Sequence, residues 1–136
     1  MKGAPVQRRR TRQRAAIRSV LEAARRPLSV AEILDLARRQ VRGLGIATVY
    51  RAVGALLEEG FLTAVEISGE APLYEVAGRG HHHHFRCRRC RRVFEVEGCV
   101  PEVERLAPAG FLLEEHEILL SGLCLECAER RRGGAG

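Results

Sequence analysis

Two Cys-x-x-Cys pairs place the strongest constraint on how this sequence can fold. Cys87 pairs with Cys90 and Cys124 with Cys127, and 33 residues separate the two pairs. Zinc prefers four tetrahedral ligands with Zn–S distances of about 2.3 Å, and each of these turns supplies two thiolates. Because the separation exceeds that of a simple zinc ribbon, folding must bring the pairs together from separate parts of a sheet. We therefore expect one structural zinc ion, with buried or disulfide-bonded cysteines as the alternative.

The surroundings of the cysteines favour metal binding in a reducing compartment. The longest apolar runs are too short to span a membrane, and the N-terminus lacks a signal-peptide core. We therefore expect a cytoplasmic protein without a membrane partner, in which paired cysteines bind metal. The fifth cysteine, Cys99, is interpreted as a small core residue. Five arginines around the first pair favour thiolates: Arg86, Arg88, Arg89, Arg91 and Arg92.

Four consecutive histidines, residues 81–84, precede the first cysteine pair. They lie mid-chain with apolar sequence on both sides, which argues against a purification tag. In an extended strand the side chains alternate, so His81 and His83 would face one side. His82 and His84 would then face the other side. One short run can therefore contribute to two metal sites.

The first part of the sequence predicts three helices. Residues 11–24 carry apolar residues at helical spacing, and Pro27 follows the end of this segment. The stretch "SVAEILDLARRQ" opens with Ser29 and has Glu32 three residues later, a capping box that predicts a second amphipathic helix. The stretch "IATVYRAVGALLEEG" predicts a third helix, with Gly60 where a C′ glycine belongs.

A β-hairpin is predicted directly after the third helix. The stretches "FLTAVEI" and "PLYEV" alternate like strands on either side of "SGEA", a glycine-containing turn. Three helices followed by a hairpin indicate a winged helix, whose third helix enters the major groove of DNA. Its solvent face would offer Thr48, Tyr50 and Arg51 to bases and phosphates, and Arg12 and Arg14 are further candidate contacts. A helical module that binds protein is the alternative.

The distribution of charge agrees with contact to a polyanion. Residues 1–51 contain thirteen Lys and Arg against three acidic residues, a net charge of +10. The remaining ten basic and fourteen acidic residues give a net charge of −4. A basic segment followed by a mildly acidic remainder suggests that only the first part faces nucleic acid. A solvated arginine-rich tail is the alternative.

The rest of the sequence predicts a second, smaller domain. "HHHHFRC", "RVFEVEG" and "FLLEEHEILLSG" are interpreted as strands, "PEVERLAP" as a short helix with Pro101 at N1, and "RRRGGAG" as disordered. The expected fold class is α+β. A winged-helix DNA-binding domain would cover residues 1–76, a hinge 77–80, and a mixed α/β metal-binding domain 81–136.

Several of these stretches together resemble the ferric uptake regulator family, over nearly the whole chain. They are "TRQRAAI", "GIATVYRAVGALLEEGF", "HHHHFRCRRCRRVFEVEG" and "HEILLSGLCLEC". The resemblance implies a metal-sensing repressor that binds operator DNA as a homodimer. The second domain would then form the dimer. "VEGCVPEVERLAPAGF" is more similar to the zinc-sensing branch of the family than to iron-sensing ones.

The resemblance also implies the metal ligands. The structural zinc would fall on the two cysteine pairs described above. One regulatory site would use His81, His83, Glu102 and His116. A hinge site would use His82 and His84 with Glu95 and Glu75, but Pro27 and Ala77 stand where many relatives place a histidine or a cysteine. That site is therefore incompletely assigned.

For both the sensed metal and the class of protein, the sequence leaves alternatives open. Imidazole-rich sites suit Zn²⁺, Fe²⁺ and Ni²⁺ better than Mn²⁺. The resemblance to the zinc-sensing branch makes zinc the expected regulatory metal, and iron or peroxide sensing is the alternative. An enzyme would need an open metal position beside a general base such as Glu95 or Glu102, and no Ser/His/Asp set or phosphate loop accompanies them. We expect no catalysis and no small-molecule substrate. A zinc-stabilised protein-interaction module is the remaining hypothesis.

Overall fold

The computed structural model describes residues 4–134, which divide into two compact units. The first unit ends at Gly78 and the second begins at Arg79. Within residues 4–134, we find no helix whose length and apolar character would let it cross a membrane.

The first unit contains the three predicted helices. They are α1 (Ala4–Ala23), α2 (Val30–Arg38) and α3 (Ile46–Glu58). The predicted capping box is confirmed at the start of α2, where the Glu32 amide donates to the Ser29 hydroxyl at 3.1 Å. The Ser29 amide donates in return to the Glu32 carboxylate at 3.3 Å. Both bonds satisfy amides that have no partner inside the helix.

The helix α1 begins seven residues before the predicted start at Thr11. Its added turns contain three arginines and Gln7, which are good helix formers, and Pro5 lies in the first turn, where proline is tolerated. The apolar pattern of the sequence does not reveal these turns because they bury no apolar stripe. The arginines of this segment are therefore carried on an exposed helix rather than on an irregular tail.

The core of the first unit lies between the apolar faces of the three helices. Burial of these faces removes apolar area from water and accounts for most of the stabilisation of the unit. Its fully buried large side chains include Ile17, Leu21, Leu28, Ile33, Leu44, Val49 and Leu56.

The predicted hairpin follows α3 and is confirmed. The strands β1 (Leu62–Val65) and β2 (Leu73–Val76) pair antiparallel, with Leu62 opposite Val76. Gly60 adopts a left-handed conformation (φ 76°) that lets the chain leave α3 and enter β1. Leu28 joins the sheet through two backbone hydrogen bonds with Tyr74, of 2.9 and 2.8 Å. This arrangement is a winged helix.

Over residues 79–134, the second unit contains a three-stranded sheet and one short α-helix. The strands β3 (His83–Cys87), β4 (Val93–Val96) and β5 (Leu119–Gly122) lie in the order β4-β3-β5. The pair β3–β4 is antiparallel and the pair β3–β5 is parallel. The helix α4 (Leu125–Gly133) follows β5 directly. Together with the winged helix, this sheet makes the chain α+β, as predicted.

Three predictions about elements of the second unit were wrong. The helix expected from Pro101 is only a 3-10 turn, Val103–Leu106, because Glu102 has a left-handed backbone (φ 59°) that interrupts an α-helix. The strand expected over residues 111–122 forms only at its last four residues. The arginine-rich end expected to be disordered belongs to α4 as far as Gly133, and residues 135–136 lie outside the described chain.

Candidate metal centres and nucleic-acid interface

The two cysteine pairs come together in the second unit. Cys87 ends β3, Cys90 lies in the following turn, Cys124 caps the N-terminus of α4, and Cys127 lies within that helix. The four sulfur atoms all lie within 4.8 Å of one another, and those of Cys90 and Cys124 are 3.8 Å apart. Tetrahedral zinc with Zn–S distances of about 2.3 Å requires sulfur separations of about 3.8 Å. We call these residues the four-cysteine cluster.

A tight turn positions the first two cysteines. The Arg91 amide donates to the Cys87 carbonyl at 2.9 Å, and the Cys87 amide donates to the Arg92 carbonyl at 2.9 Å. Arg91 has a left-handed backbone (φ 64°), which closes the turn and brings Cys90 back toward Cys87. This local geometry is the knuckle that the Cys-x-x-Cys spacing predicts.

The electrostatics of the four-cysteine cluster fit a cation. Backbone amides of Cys124, Cys90 and Arg89 donate to the Cys87 sulfur and lower the pKa of Cys87 to about 6. Burial raises the pKa of Cys127 to about 12 and also raises the pKa of Cys90. All five cysteines of the chain are free thiols. Four thiolates in so small a volume repel one another, so this set is stable in charged form only around a metal ion.

Three histidines and a cysteine form a second group in the same unit. Its members are His81, His83, Cys99 and His116, whose ligand atoms lie within 4.8 Å of one another. The Nε2 atoms of His81 and His116 are 3.1 Å apart. The Cys99 sulfur lies 2.9 Å from Nε2 of His116 and 3.2 Å from Nε2 of His83. We call this group the three-histidine cluster.

Two expectations for this region need correction. Cys99 is not a core residue, because it is exposed to solvent and its sulfur faces the histidines. Glu102, expected as the fourth ligand, is not brought into the three-histidine cluster. Its carboxylate forms an ion pair with Arg105 at 3.0 Å, and its side chain is 62% exposed. Residue spacing carries no signal for Cys99, since loop conformation alone decides which of the two residues turns inward.

The environment of His83 keeps its imidazole neutral. Burial lowers the pKa of His83 below its ordinary value, and the neighbouring rings of His81 and His116 lower the pKa further. The Ile118 amide donates to Nδ1 of His83 at 3.2 Å, and the Nε2 edge of the ring faces Cys99. A neutral ring whose Nδ1 accepts a hydrogen bond carries its proton on Nε2, so an ion bound at Nε2 would require the proton to move to Nδ1 and the Ile118 contact to break.

The other two histidines of the run lie together and apart from the three-histidine cluster. The rings of His82 and His84 have centroids 5.0 Å apart, the pairing that strand alternation predicts. Nδ1 of His82 donates to the Gly80 carbonyl at 3.0 Å. Glu95 lies 3.8 Å from His82 and 3.6 Å from Arg79. Glu75 is a buried residue of β2 in the first unit.

The predicted DNA-contacting residues of α3 lie on its solvent face. Tyr50 is 58% exposed, Arg51 is exposed, and Thr48 is half-buried. The Arg51 guanidinium donates to the Thr48 hydroxyl at 3.3 Å. The opposite face of α3 carries Val49 and Val53 into the core. The helix therefore presents a mixed aromatic, cationic and hydroxyl surface that can bind base edges and phosphates.

The two arginines predicted on α1 differ in their surroundings. Arg14 forms an ion pair with Glu59 beyond the end of α3. Arg12 is exposed one turn after Arg8. Arg12 is thus the better placed of the two for a phosphate, because Arg14 already has an acidic partner.

Comparison with known proteins decides the family of this chain. A sequence model of the ferric uptake regulator family matches residues 6–121. The chain belongs to the ferric uptake regulator family. This family consists of metal-responsive transcription regulators and not of enzymes.

Individual members of the ferric uptake regulator family resemble the chain at about 30% identity. The ferric uptake regulation protein of Campylobacter jejuni is 33% identical over 91 residues, which are 65% of this chain and 58% of that protein. The match therefore spans less than two thirds of this relative. The solved Helicobacter pylori regulator, with three functional metal-binding sites, is 30% identical, covers 85% of this chain and 79% of its own, and has a TM-score of 0.66.

A solved zinc uptake regulator is similar as well. A zinc uptake regulator solved in complex with zinc and DNA is 31% identical, covers 88% of this chain and 83% of its own, and has a TM-score of 0.54. Relatives named for ferric uptake and for zinc uptake thus match at nearly the same identity, so overall similarity does not indicate which metal this chain binds.

Proposed function

We propose that this protein represses metal uptake genes by binding operator DNA as a metal-loaded homodimer, with zinc as the sensed metal. The main support for the proposal is that the same chain contains both a winged helix and two groups of metal-binding side chains. Both groups lie in the second unit, and the spacings of their donor atoms suit zinc. The free thiols support a reducing location, and we place the protein in the cytoplasm.

Ligand chemistry supports zinc over iron. A thiol beside three imidazoles matches the nitrogen and sulfur ligands that zinc prefers. Non-haem iron(II) sites, in contrast, typically combine imidazole nitrogen with carboxylate oxygen. Sensing of iron or peroxide is the second candidate, because most curated relatives are named ferric uptake regulators. The zinc uptake regulator bound to DNA supports the first candidate.

The charge and shape of the first unit support DNA as partner. The net charge of +10 over residues 1–51 attracts the phosphate backbone without regard to sequence. The exposed Tyr50 and Arg51 of α3 then supply contacts to bases, which give sequence preference.

Exposed apolar residues of the second unit support a homodimer. Phe111 is 71% exposed and Leu112 is 84% exposed, although both are large and apolar. The strand β5 is an edge strand, and its Leu119 and Leu120 are nearly half exposed. Apolar side chains and an open strand edge are normally covered by another chain. We infer that a second copy of this chain covers them.

The three-histidine cluster ties loops of the second unit to its sheet. His83 lies on β3, whereas Cys99 and His116 lie in segments without regular structure on either side of Phe111. A bound divalent cation would supply the positive charge that holds these donors together. Cys99 and His116 would then fix both ends of the segment that carries the apolar dimer residues. Metal content and dimer geometry are therefore coupled, by about 1 to 3 kcal/mol for a typical linked pair of sites.

The hinge site stays part of the proposal on sequence grounds. We assign His82, His84 and Glu95 to it, with Glu75 as the ligand from the winged helix. A site with ligands on both sides of the hinge would set the orientation of the DNA-binding surface. It would therefore affect DNA affinity more directly than the three-histidine cluster does.

We expect double alanine variants of the histidine run to separate the two sites. His81→Ala with His83→Ala should remove one metal ion per chain, because two of the four donors of the three-histidine cluster are lost. His82→Ala with His84→Ala should abolish metal-dependent DNA binding while the chain stays folded. Bound metal is measured by mass spectrometry, and affinity by anisotropy with a duplex selected from a random library by the zinc-loaded protein. Identical metal loss in both variants would show one site rather than two.

We expect Phe111→Ser with Leu112→Ser to dissociate the homodimer. Both side chains are exposed within one chain, so the substitutions leave the monomer fold intact but remove apolar contact area from the dimer. The dissociation constant should rise by at least about tenfold, as for central interface residues. Sedimentation velocity over a concentration series measures it, with Val6→Ser, an exposed apolar residue of α1 that is 62% exposed, as control. An unchanged dissociation constant would place the interface elsewhere.

A further inference from the structure

We propose that the Cys99 thiolate, and not the Glu102 carboxylate, is the fourth ligand of the three-histidine cluster and makes it select thiophilic metal ions. The regulatory meaning of this assignment rests on the proposed function, but metal binding by Cys99 does not. The ligand class is a divalent cation that accepts one sulfur and three nitrogen donors.

The distances around Cys99 are close to those of a metal-bound set. Tetrahedral zinc requires about 3.6 Å between nitrogen and sulfur ligands and about 3.3 Å between nitrogen ligands. The Cys99 sulfur lies 2.9 Å from His116 and 3.2 Å from His83, and the His81 and His116 nitrogens are 3.1 Å apart. Each pair therefore has to separate by less than about 1 Å to surround an ion. Such a shift needs no change of backbone fold.

Glu102 is held away from this set by its own backbone and by its partner. It adopts a left-handed conformation at the start of the 3-10 turn Val103–Leu106, and its carboxylate pairs with Arg105 at 3.0 Å. To reach the histidines it would have to break that ion pair and reorient a side chain that is 62% exposed. Cys99 requires neither change, since its sulfur already contacts two of the histidines.

The exchange of a carboxylate for a thiolate changes which metals the site prefers. Sulfur ligands favour Zn²⁺ and other soft or borderline ions, whereas carboxylate oxygens favour Mn²⁺ and Mg²⁺. Cys99 is therefore a specificity-determining residue. Replacing it with aspartate should restore an oxygen donor at the same place and lower the ratio of zinc to manganese affinity by at least about tenfold.

Cobalt(II) can report whether a thiolate binds at this site. The full-length protein is first given one equivalent of zinc, which fills the four-cysteine cluster, and Co²⁺ is then titrated. Co²⁺ bound to sulfur shows a thiolate-to-metal charge-transfer band in the near ultraviolet, and Co²⁺ bound only to nitrogen and oxygen does not. Native mass spectrometry confirms that the first zinc ion stays bound. The variants are Cys99→Ser, Cys99→Asp and the matched control Glu102→Gln.

The proposal expects the charge-transfer band in the native protein and in Glu102→Gln, and its loss in Cys99→Ser and Cys99→Asp. It also expects Cys99→Asp to gain manganese affinity relative to zinc. A band that survives in Cys99→Ser, or that disappears in Glu102→Gln, would overturn it. No DNA is present in these titrations, so failure of the proposed regulatory function would leave their outcome unchanged.

Discussion

Replacing Cys87 with serine is expected to unfold residues 79–134 and to release the zinc of the four-cysteine cluster. Cys87 is fully buried at the end of β3, and its sulfur accepts hydrogen bonds from three backbone amides. Structural zinc contributes on the order of 10 kcal/mol to folding, which is comparable to the whole stability of a small domain. Hydrogen exchange should therefore show that the second unit loses protection while residues 4–78 keep theirs.

The control for this variant is Cys99→Ser, the same chemical change at an exposed cysteine outside the four-cysteine cluster. It should keep the structural zinc and the protection of the second unit. Cys124→Ser should behave like Cys87→Ser, because both remove one of four ligands. If Cys87→Ser retained its zinc and its melting temperature, the cysteines would not form a structural metal site.

Replacing Arg51 with alanine is expected to weaken binding to the selected duplex by about 10- to 100-fold, which corresponds to about 1 to 3 kcal/mol. Arg51 is exposed on α3, and its guanidinium is positioned by the Thr48 hydroxyl. Tyr50→Ala should mainly relax base preference, because Tyr50 is an exposed aromatic residue without charge. Anisotropy at fixed salt with selected and scrambled duplexes measures both effects.

A matched arginine outside the winged helix separates base contact from general charge. Arg131→Ala removes one exposed positive charge from α4 in the second unit and should change affinity for either duplex little. Equal losses from Arg51→Ala and Arg131→Ala would mean that net charge alone drives binding. Unchanged affinity and preference in both α3 variants would show that this helix does not contact DNA bases.

The sequence was sufficient to predict the elements of the first unit because their signals are local. The capping box of Ser29 and Glu32, the apolar faces of three helices and the glycine after α3 each act over a few residues. The early start of α1 was missed because it depends on the helix propensity of exposed residues rather than on a buried face.

The second unit was predicted less well because its site depends on loop paths. The four cysteines carry their own spacing signal, and folding brings them together as expected. Whether Cys99 or Glu102 faces the histidines depends on the left-handed backbone at residue 102, which cannot be predicted from the apolar pattern. Likewise, only His83 and His84 belong to β3, although all four histidines keep the predicted division into two pairs.

Reciprocal titration of zinc and DNA tests the central claim, that metal binding and DNA binding by this chain are linked. DNA affinity is measured against buffered free Zn²⁺, and zinc affinity is measured with and without the selected duplex. We expect zinc to raise DNA affinity by about 5- to 150-fold and DNA to raise zinc affinity by the same factor. The claim would be contradicted if DNA affinity were the same for the form with only structural zinc and for the fully zinc-loaded form.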